Sequence, residues 1–476
     1  MRTTVVLFTA LLTAPLTATA QSGPVAIATD PPAQAQPAQA PPVARVSFDG
    51  PALTFDFPAV QIGVAEYEEG PTGATVLLFR RPVTAAVDVR GGAPGTVLTD
   101  VLRLAYDDPF VNAITLAGGS SLGLSVATGV ANALKERIAN PGAWDNVPTV
   151  PGAIIFDLGY RRYNVVTPDE RLGRAALDAV RSGRVPLGAR GAGRFAMQGD
   201  YLDEWQHSGQ GAAIRQAGET KVLVVTVVNA SGSIVDRNGR IFRCKRPVAG
   251  DCGAISERIA KHLAAVGATK HADASVGRHS GLTANTTITV VVTNKPLPFW
   301  ALQRLAVQVH TSMGRAIQPF STSGDGDTLF AVTTGEAKGA TISEEDLADL
   351  GVLASETAWD AILASAPALP PVAPRTDVTL TSAMADACVG RYEFAPGAIA
   401  ELRRNGARLE VEVTGQDSYV PAGKWVSLEP VGTDEFEIGT PSADRLHIDR
   451  DARGRIVGFT INPGPWPVRA RRLPPN

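Results

Sequence analysis

The chain has 476 residues, 44% of them hydrophobic, with a mean hydropathy of +0.04 and a formal net charge of −3. That length supplies two or three domains and a sizeable core, and so small a net charge argues against nucleic acid or an anionic membrane surface as a partner. Three cysteines are too few for a disulfide scaffold.

Arg2, the apolar run VVLFTALLTAPL and Ala18-Thr19-Ala20 form the three parts of a secretory signal peptide over residues 1–20. No later run approaches the roughly 20 apolar residues of a spanning helix, so the mature protein is expected in the periplasm or the medium, without a membrane span. Residues 21–44, rich in Pro, Ala and Gln, read as a spacer without regular structure. From 45 to 366 short β-branched runs alternate with Ala/Leu-rich amphipathic stretches. ATVLLF, AIIFDL and KVLVVTVVNA read as strands, GLSVATGVANALKERI and ERLGRAALDAVRSG as helices, which predicts an α/β body. A Pro-rich linker, 367–377, leads to a different texture. Asn405-Gly406 separates two short runs, LEVEV alternates strictly, and the pattern repeats around Gly454, so 378–476 is expected to be all-β. Cys244 and Cys252 bracket a turn-rich spacer that would let them pair in an oxidising compartment; two reduced thiols are the alternative.

Chemistry concentrates in ANTTITVVVTN, Ala284–Asn294, where Asn285 and Thr286 lead into a β-branched run that reads as a buried strand. An Asn-Thr bond at the mouth of a central strand suits self-cleavage, after which the freed Thr α-amine serves as base for its own hydroxyl. The same residues also fit a plain turn into a strand, and the N-x-[ST] pattern. Asn229 closes the run KVLVVTVVN, and Asp325 and Asp327 stand in GDGD before TLFAV. His262, His271 and His279 lack metal-ligand spacing, and RGGAPG and AGGSSLG lack the GxGxxG spacing, so neither a metal nor a nucleotide cofactor is expected.

Read in order, TGATVLLF, VRGGAPGTVLTD, NAITLAGGSSLGLSVATGV, VPTVPGAIIFDLG, VVTVVNASGSIVD, NTTITVVVTN and SGDGDTLFAVTTG closely resemble the DmpA-type aminopeptidases, which include β-peptidyl aminopeptidases, the L-aminopeptidase/D-Ala-esterase and a pantetheine hydrolase. The resemblance implies a four-layer αββα fold of the N-terminal-nucleophile hydrolase kind, cut before Thr286 into chains 21–285 and 286–476 that stay associated. It implies Thr286 as nucleophile, Asn229 as oxyanion donor, and Asp325 and Asp327 as the groups that orient the nucleophile. Asp325 stands where the β-peptide-cleaving branch has Ser. Gly118, Gly119 and Ser120 are candidates to line the pocket or start its helix. Two departures bear on the substrate. Val150–Phe156 holds no carboxylate where aminopeptidase members bind the substrate amine, and the glycine loop reads Gly188–Phe195 with Arg190 and Arg194 in it, which would favour a substrate carrying a carboxylate. The family's ring-like assemblies imply a homo-oligomer. The last hundred residues resemble lipocalin-like barrels appended to exported β-lactamase-like hydrolases, with no catalytic role implied.

The expected function is therefore an exported, self-processing aminopeptidase acting on small peptides or amino-acid amides through an acyl-enzyme on Thr286. The alternatives are an amidohydrolase or acyltransferase on a non-peptide, pantetheine-like amide, and a catalytically inactive binding protein of the same fold.

Overall fold

The computed structural model describes residues 41–475 apart from 105–108, 160, 245–250, 270–284, 338–342, 367–375, 377, 415–419, 421 and 440–443. The expected signal peptide, nearly all of the spacer and most of the linker lie outside the described residues. Ala44, the last residue of the expected spacer, already pairs with Tyr67 in the sheet.

The body is organised by one long strand, Thr72–Val89. Its first half pairs with Val60–Tyr67 on one side and Phe110–Ala117 on the other; its second half pairs with Thr328–Thr333. The register slips between Leu78 and Val83, across Pro82, which has no N–H to give the ladder. One strand thereby serves two layers of an 11-stranded sheet. Residues of alternate parity face opposite ways. Leu77, Ile114 and Leu116 from one layer share a buried cluster with Val225, Val290 and Phe330 from the other. On the outer faces, Ala74, Val76 and Ala113 pack under the helices Ser125–Arg137 and Glu170–Asp178, while Val224, Val291 and Leu329 pack under Phe299–Ser312 and Glu344–Ala364. The order is helix, sheet, sheet, helix, the four-layer arrangement expected.

Local chemistry starts these helices where they start. Asp169 caps the N-terminus of Glu170–Asp178 by accepting from Leu172 N at 2.9 Å, and Ser343 with Asp346 closes a reciprocal capping box before Glu344.

Residues 390–472 form a closed eight-stranded antiparallel barrel, all-β as the alternation predicted and a barrel as the resemblance implied. Asn405 pairs with Arg408, so Gly406-Ala407 is the turn, and Gly406 has φ +61°, a conformation that favours glycine. The apolar cluster that fills the barrel also takes in Tyr163, Ala189 and Phe195 of the body. Cys244 and Cys252 are disulfide-bonded, while Cys388 is a buried free thiol. Among the described residues no helix is long and apolar enough to cross a membrane.

Candidate active site

Thr220–Asn229 and Thr286–Thr293 run antiparallel with Asn229 opposite Thr286, and Thr286–Thr293 runs parallel to Thr328–Thr333. The Thr286 strand is buried along its whole length, which explains its unbroken β-branched run. Its first residue is nearly inaccessible: Thr286 is 2% exposed, Asn285 4%, and Asp325 and Asp327 1% each.

The Asn285 carbonyl is held on two sides. Gly326 N donates to Asn285 O at 2.7 Å, and Thr286 Oγ1 donates to the same oxygen at 2.6 Å. Asn285 itself bridges to Asp325 in parallel register. A side chain at Gly326 is excluded, because a Cβ there would lie 2.6 Å from Thr286 Oγ1 and 2.7 Å from Ala93 O. The loop carrying Gly326 is cradled by the RGGAPG string. Arg90 N and Gly91 N donate to Asp327 O, and Ala93 N donates to Asp325 O at 2.8 Å. Cβ atoms at Gly91 and Gly92 would strike the backbone oxygens of Asp325 and Ser323 at 2.3 and 2.4 Å, so these glycines permit backbone to lie against backbone.

Both acids are tied to backbone. Asp327 Oδ1 accepts from Thr287 N at 2.6 Å, and its Oδ2 accepts from Ser321 N and Ser321 Oγ at 3.0 and 3.2 Å. Burial, and then the neighbouring Asp325, push the Asp327 carboxyl up to about 7 against those hydrogen bonds. Asp325 accepts from Ser231 N at 3.2 Å and Thr322 N at 2.8 Å. The Asn229 amide is oriented from both ends: Met197 N donates to its Oδ1 at 2.9 Å, and its Nδ2 donates to Phe156 O at 3.0 Å. Phe156 O takes one of the two amide hydrogens and leaves the other.

Thr286, Asn229, Asp325 and Asp327 are thus gathered at one end of the sheet. Gly118, Gly119 and Ser120 turn the chain beside Asp157, the residue after Asn229's partner. Gly119 N donates to Asp157 Oδ1 at 2.7 Å, Thr72 Oγ1 donates to Asp157 Oδ2 at 2.9 Å, and Ser120 N donates to Ile155 O. A Cβ at Gly118 would lie 2.3 Å from Asp157 Oδ2. Asp157 also lies 3.6 Å from Arg161, both side chains wholly buried, so it offers no spare charge.

Arg190 and Arg194 differ from expectation. Arg194, 3% exposed, reaches Glu68 at 3.1 Å and Pro465 O at 3.1 Å; its Nε lies 3.5 Å from Glu66. Arg190 donates to Asp49 O and Ala189 O and lies over the Phe48 ring. The Arg194 charge is thus engaged internally rather than presented to a substrate, whereas the Arg190 side chain, 3.9 Å from Glu66, remains 28% exposed. Among the described residues no group of three or more His, Cys, Asp or Glu side chains could hold a metal.

Two features of the site escaped the sequence reading. Gly326 presents its N–H to Asn285 O, and the only trace of it is a glycine between two acids. Asp157 stands one position beyond the strand inspected for a carboxylate.

Comparison with known proteins follows the same outline. Residues 52–376 match Peptidase family S58, a segment that stops before the first barrel strand. The chain is 40% identical over 328 residues to the 6-aminohexanoate-oligomer endohydrolase of Paenarthrobacter ureafaciens, covering 65% of this chain and 85% of that protein. It is 36% identical over 274 residues to an uncharacterized aminopeptidase of Mycobacterium tuberculosis strain ATCC 25618 / H37Rv, covering 55% and 73%. Among solved structures, a Burkholderia sp. β-aminopeptidase aligns with a TM-score of 0.47 at 18% identity, over 65% of this chain and 84% of that one. The L-aminopeptidase D-Ala-esterase/amidase of Ochrobactrum anthropi aligns with a TM-score of 0.45 at 17% identity, over 67% and 88%.

Proposed function

The chain belongs to Peptidase family S58 and is a hydrolase of the aminopeptidase and amidohydrolase kind; from that premise we propose that it is an exported precursor that cuts itself between Asn285 and Thr286 and then cleaves amides through an acyl-enzyme on Thr286. The observation that carries the reading is the doubly hydrogen-bonded Asn285 carbonyl beside the Thr286 hydroxyl in a buried junction.

Attack by Thr286 Oγ1 on the Asn285 carbonyl carbon puts negative charge on an oxygen already facing the Gly326 N–H, which stabilises it. The C–N bond then breaks, the hydroxyl proton passes to the Thr286 nitrogen, and water splits the resulting ester. Among the described residues buried Asn285 Nδ2 has no hydrogen-bond partner, and departure of Asn285 would relieve that cost of about 1–3 kcal/mol. The freed α-amine has a reference pKa of ~7.7–8.0, so near neutral pH a useful fraction can take the Thr286 hydroxyl proton. Asn229 Nδ2 offers its remaining hydrogen to the substrate oxyanion. Asp327, one peptide unit from the amine through Thr287 N, keeps that amine in place. The Cys244–Cys252 disulfide supports export, since such bonds persist in oxidising compartments.

A second reading of the substrate is favoured by Asp157. Arg161, Thr72 and Gly119 already claim its carboxylate, and Val150–Phe156 supplies no other, so this strand gives a substrate α-amine no anionic partner. An amide remote from an α-amine, of the kind named for the 6-aminohexanoate-oligomer relatives, fits that site better than an α-aminoacyl amide.

Intact mass and denaturing electrophoresis of the wild-type protein should show two chains meeting at Thr286, and Thr286→Ala should show one. A single uncut wild-type chain would refute the catalytic reading. Assay of the cut protein on L-, D- and β-amino-acid amides, pantetheine-like amides and 6-aminohexanoate oligomers then separates the two substrate readings.

A further inference from the structure

Trp466 stands in the connection between the barrel strands Ile456–Ile461 and Val468–Arg472, yet only 1% of it is exposed. Three partners beside it belong to the hydrolase body. His207 stacks on its ring at 5.0 Å between centroids and 8° between planes. The Arg243 guanidinium lies 5.8 Å from its ring centroid, and Arg194 donates to the carbonyl of the preceding residue, Pro465, at 3.1 Å. Burial, and then Arg243 and Arg194, push the His207 imidazole down to about 3, so the stack pairs two neutral rings across the working pH range.

The contact leads directly to the oxyanion donor. Gln206–His207 pairs with Met197–Gln198, His207 lying opposite Met197. Phe195 meets the His207 ring edge-on at 5.2 Å. Met197 N is the donor to Asn229 Oδ1, the bond that decides which end of that amide points to the reacting carbonyl. A side chain that fixes His207 therefore fixes the strand pair from which Met197 reaches Asn229. Trp466 lies beyond residues 52–376, the segment that matches the family.

The geometry points to Trp466 as a positioning residue for the Asn229 amide, which makes the C-terminal barrel a working part of the catalytic unit. The inference rests on the reading of Asn229 as oxyanion donor. Self-cleavage is distinct, because there the Asn285 oxygen faces Gly326 N.

The test uses full-length Trp466→Ala, Trp466→Phe, Asn229→Ala and the Ala–Ala double variant. Self-cleavage is read by intact mass, and acylation by p-nitrophenolate release from p-nitrophenyl acetate, with Thr286→Ala as background. Trp466→Ala should still process itself, while kcat falls about 10- to 100-fold at nearly constant KM, the size expected when a catalytic group is misplaced by about 1 Å. Trp466→Phe, which keeps a ring on His207, should recover to within about 3-fold, and Trp466→Ala should cost less than about 2-fold more on top of Asn229→Ala, as coupled residues do. If Trp466→Ala does not accumulate as folded protein, Trp466→Leu, which fills the space without a stack, is read by the same criteria. Unchanged kcat in Trp466→Ala, or losses that multiply in the double variant, would overturn the inference and leave Asn229 standing. Unchanged kcat in Asn229→Ala would remove the donor reading and this inference with it.

Discussion

At Gly326 a single hydrogen atom in place of a side chain lets a backbone N–H reach the Asn285 carbonyl, where the cut is proposed. A methyl group there would press on Thr286 Oγ1 and Ala93 O at 2.6 and 2.7 Å, contacts too short to keep. Gly326→Ala should therefore leave most of the protein as one uncut chain on denaturing electrophoresis, although Thr286 is intact. Asp327 gives the residue scale its pH dependence. In the folded precursor its carboxyl holds a proton up to about 7, whereas in the unfolded chain it releases it near ~3.9. Between those values the folded state binds more protons, so this group's contribution to stability falls as pH rises, and the cost is complete above the upper value. In a Thr286→Ala background, thermal unfolding from acid to neutral pH should show that Asp327→Asn flattens the decline. Glu66, which burial also raises to about 7, adds to that decline, and His207, lowered to about 3, opposes it. The difference between the two proteins is the diagnostic quantity.

The elements explain why these residues meet. Asn229 ends one strand and Thr286 begins its neighbour in register, so an amide and a hydroxyl far apart in sequence face the same end of the sheet without help from a flexible loop. The turn after Phe110–Ala117 is positioned differently, through the Asp157 carboxylate, which satisfies Gly119 N, Thr72 Oγ1 and the buried Arg161. Asp157→Ala would remove the carboxylate beside a buried guanidinium that otherwise donates to Asn164 Oδ1 and Val166 O. The expected loss is about 3–5 kcal/mol, measured by chemical denaturation.

Across the whole molecule, the proposed cut falls inside an interleaved sheet. Thr286–Thr293 would belong to the second chain, yet its ladder partner Thr220–Asn229 would belong to the first; Thr328–Thr333 likewise pairs with Thr72–Val89. Among the described residues, separating the chains would break these two ladders and a third, between Ser233–Ile234 and Ile317–Gln318, and would open the cluster between the layers, so the cut protein should elute from size exclusion as a complex of both chains and divide only in denaturant. The barrel is joined to the body by shared apolar burial and by the Trp466 contacts, so barrel and catalytic body form one packed unit.

Periodicity and residue type were enough to announce the α/β body, the all-β C-terminal part and the strands that end in Asn229 and begin at Thr286, because buried strands select β-branched runs and turns select glycine and asparagine. The family resemblance carried by the ordered motifs implied the αββα layering and singled out Asp325 and Asp327. Other features depended on neighbours distant in sequence. Arg190 and Arg194 read as free charge until Glu66, Glu68 and Pro465 were brought beside Arg194, and Asp49 O and the Phe48 ring beside Arg190. The donor to the Asn285 carbonyl is a backbone N–H, which every residue except proline possesses and no composition marks. Trp466 belongs to a domain with its own core, and its contact with His207 exists only because the barrel packs on the body. Sequence by itself determined which segments form strands and helices, since those choices are local; tertiary structure decided which polar groups are spent on one another and which remain for chemistry, since that depends on what burial places within hydrogen-bond reach.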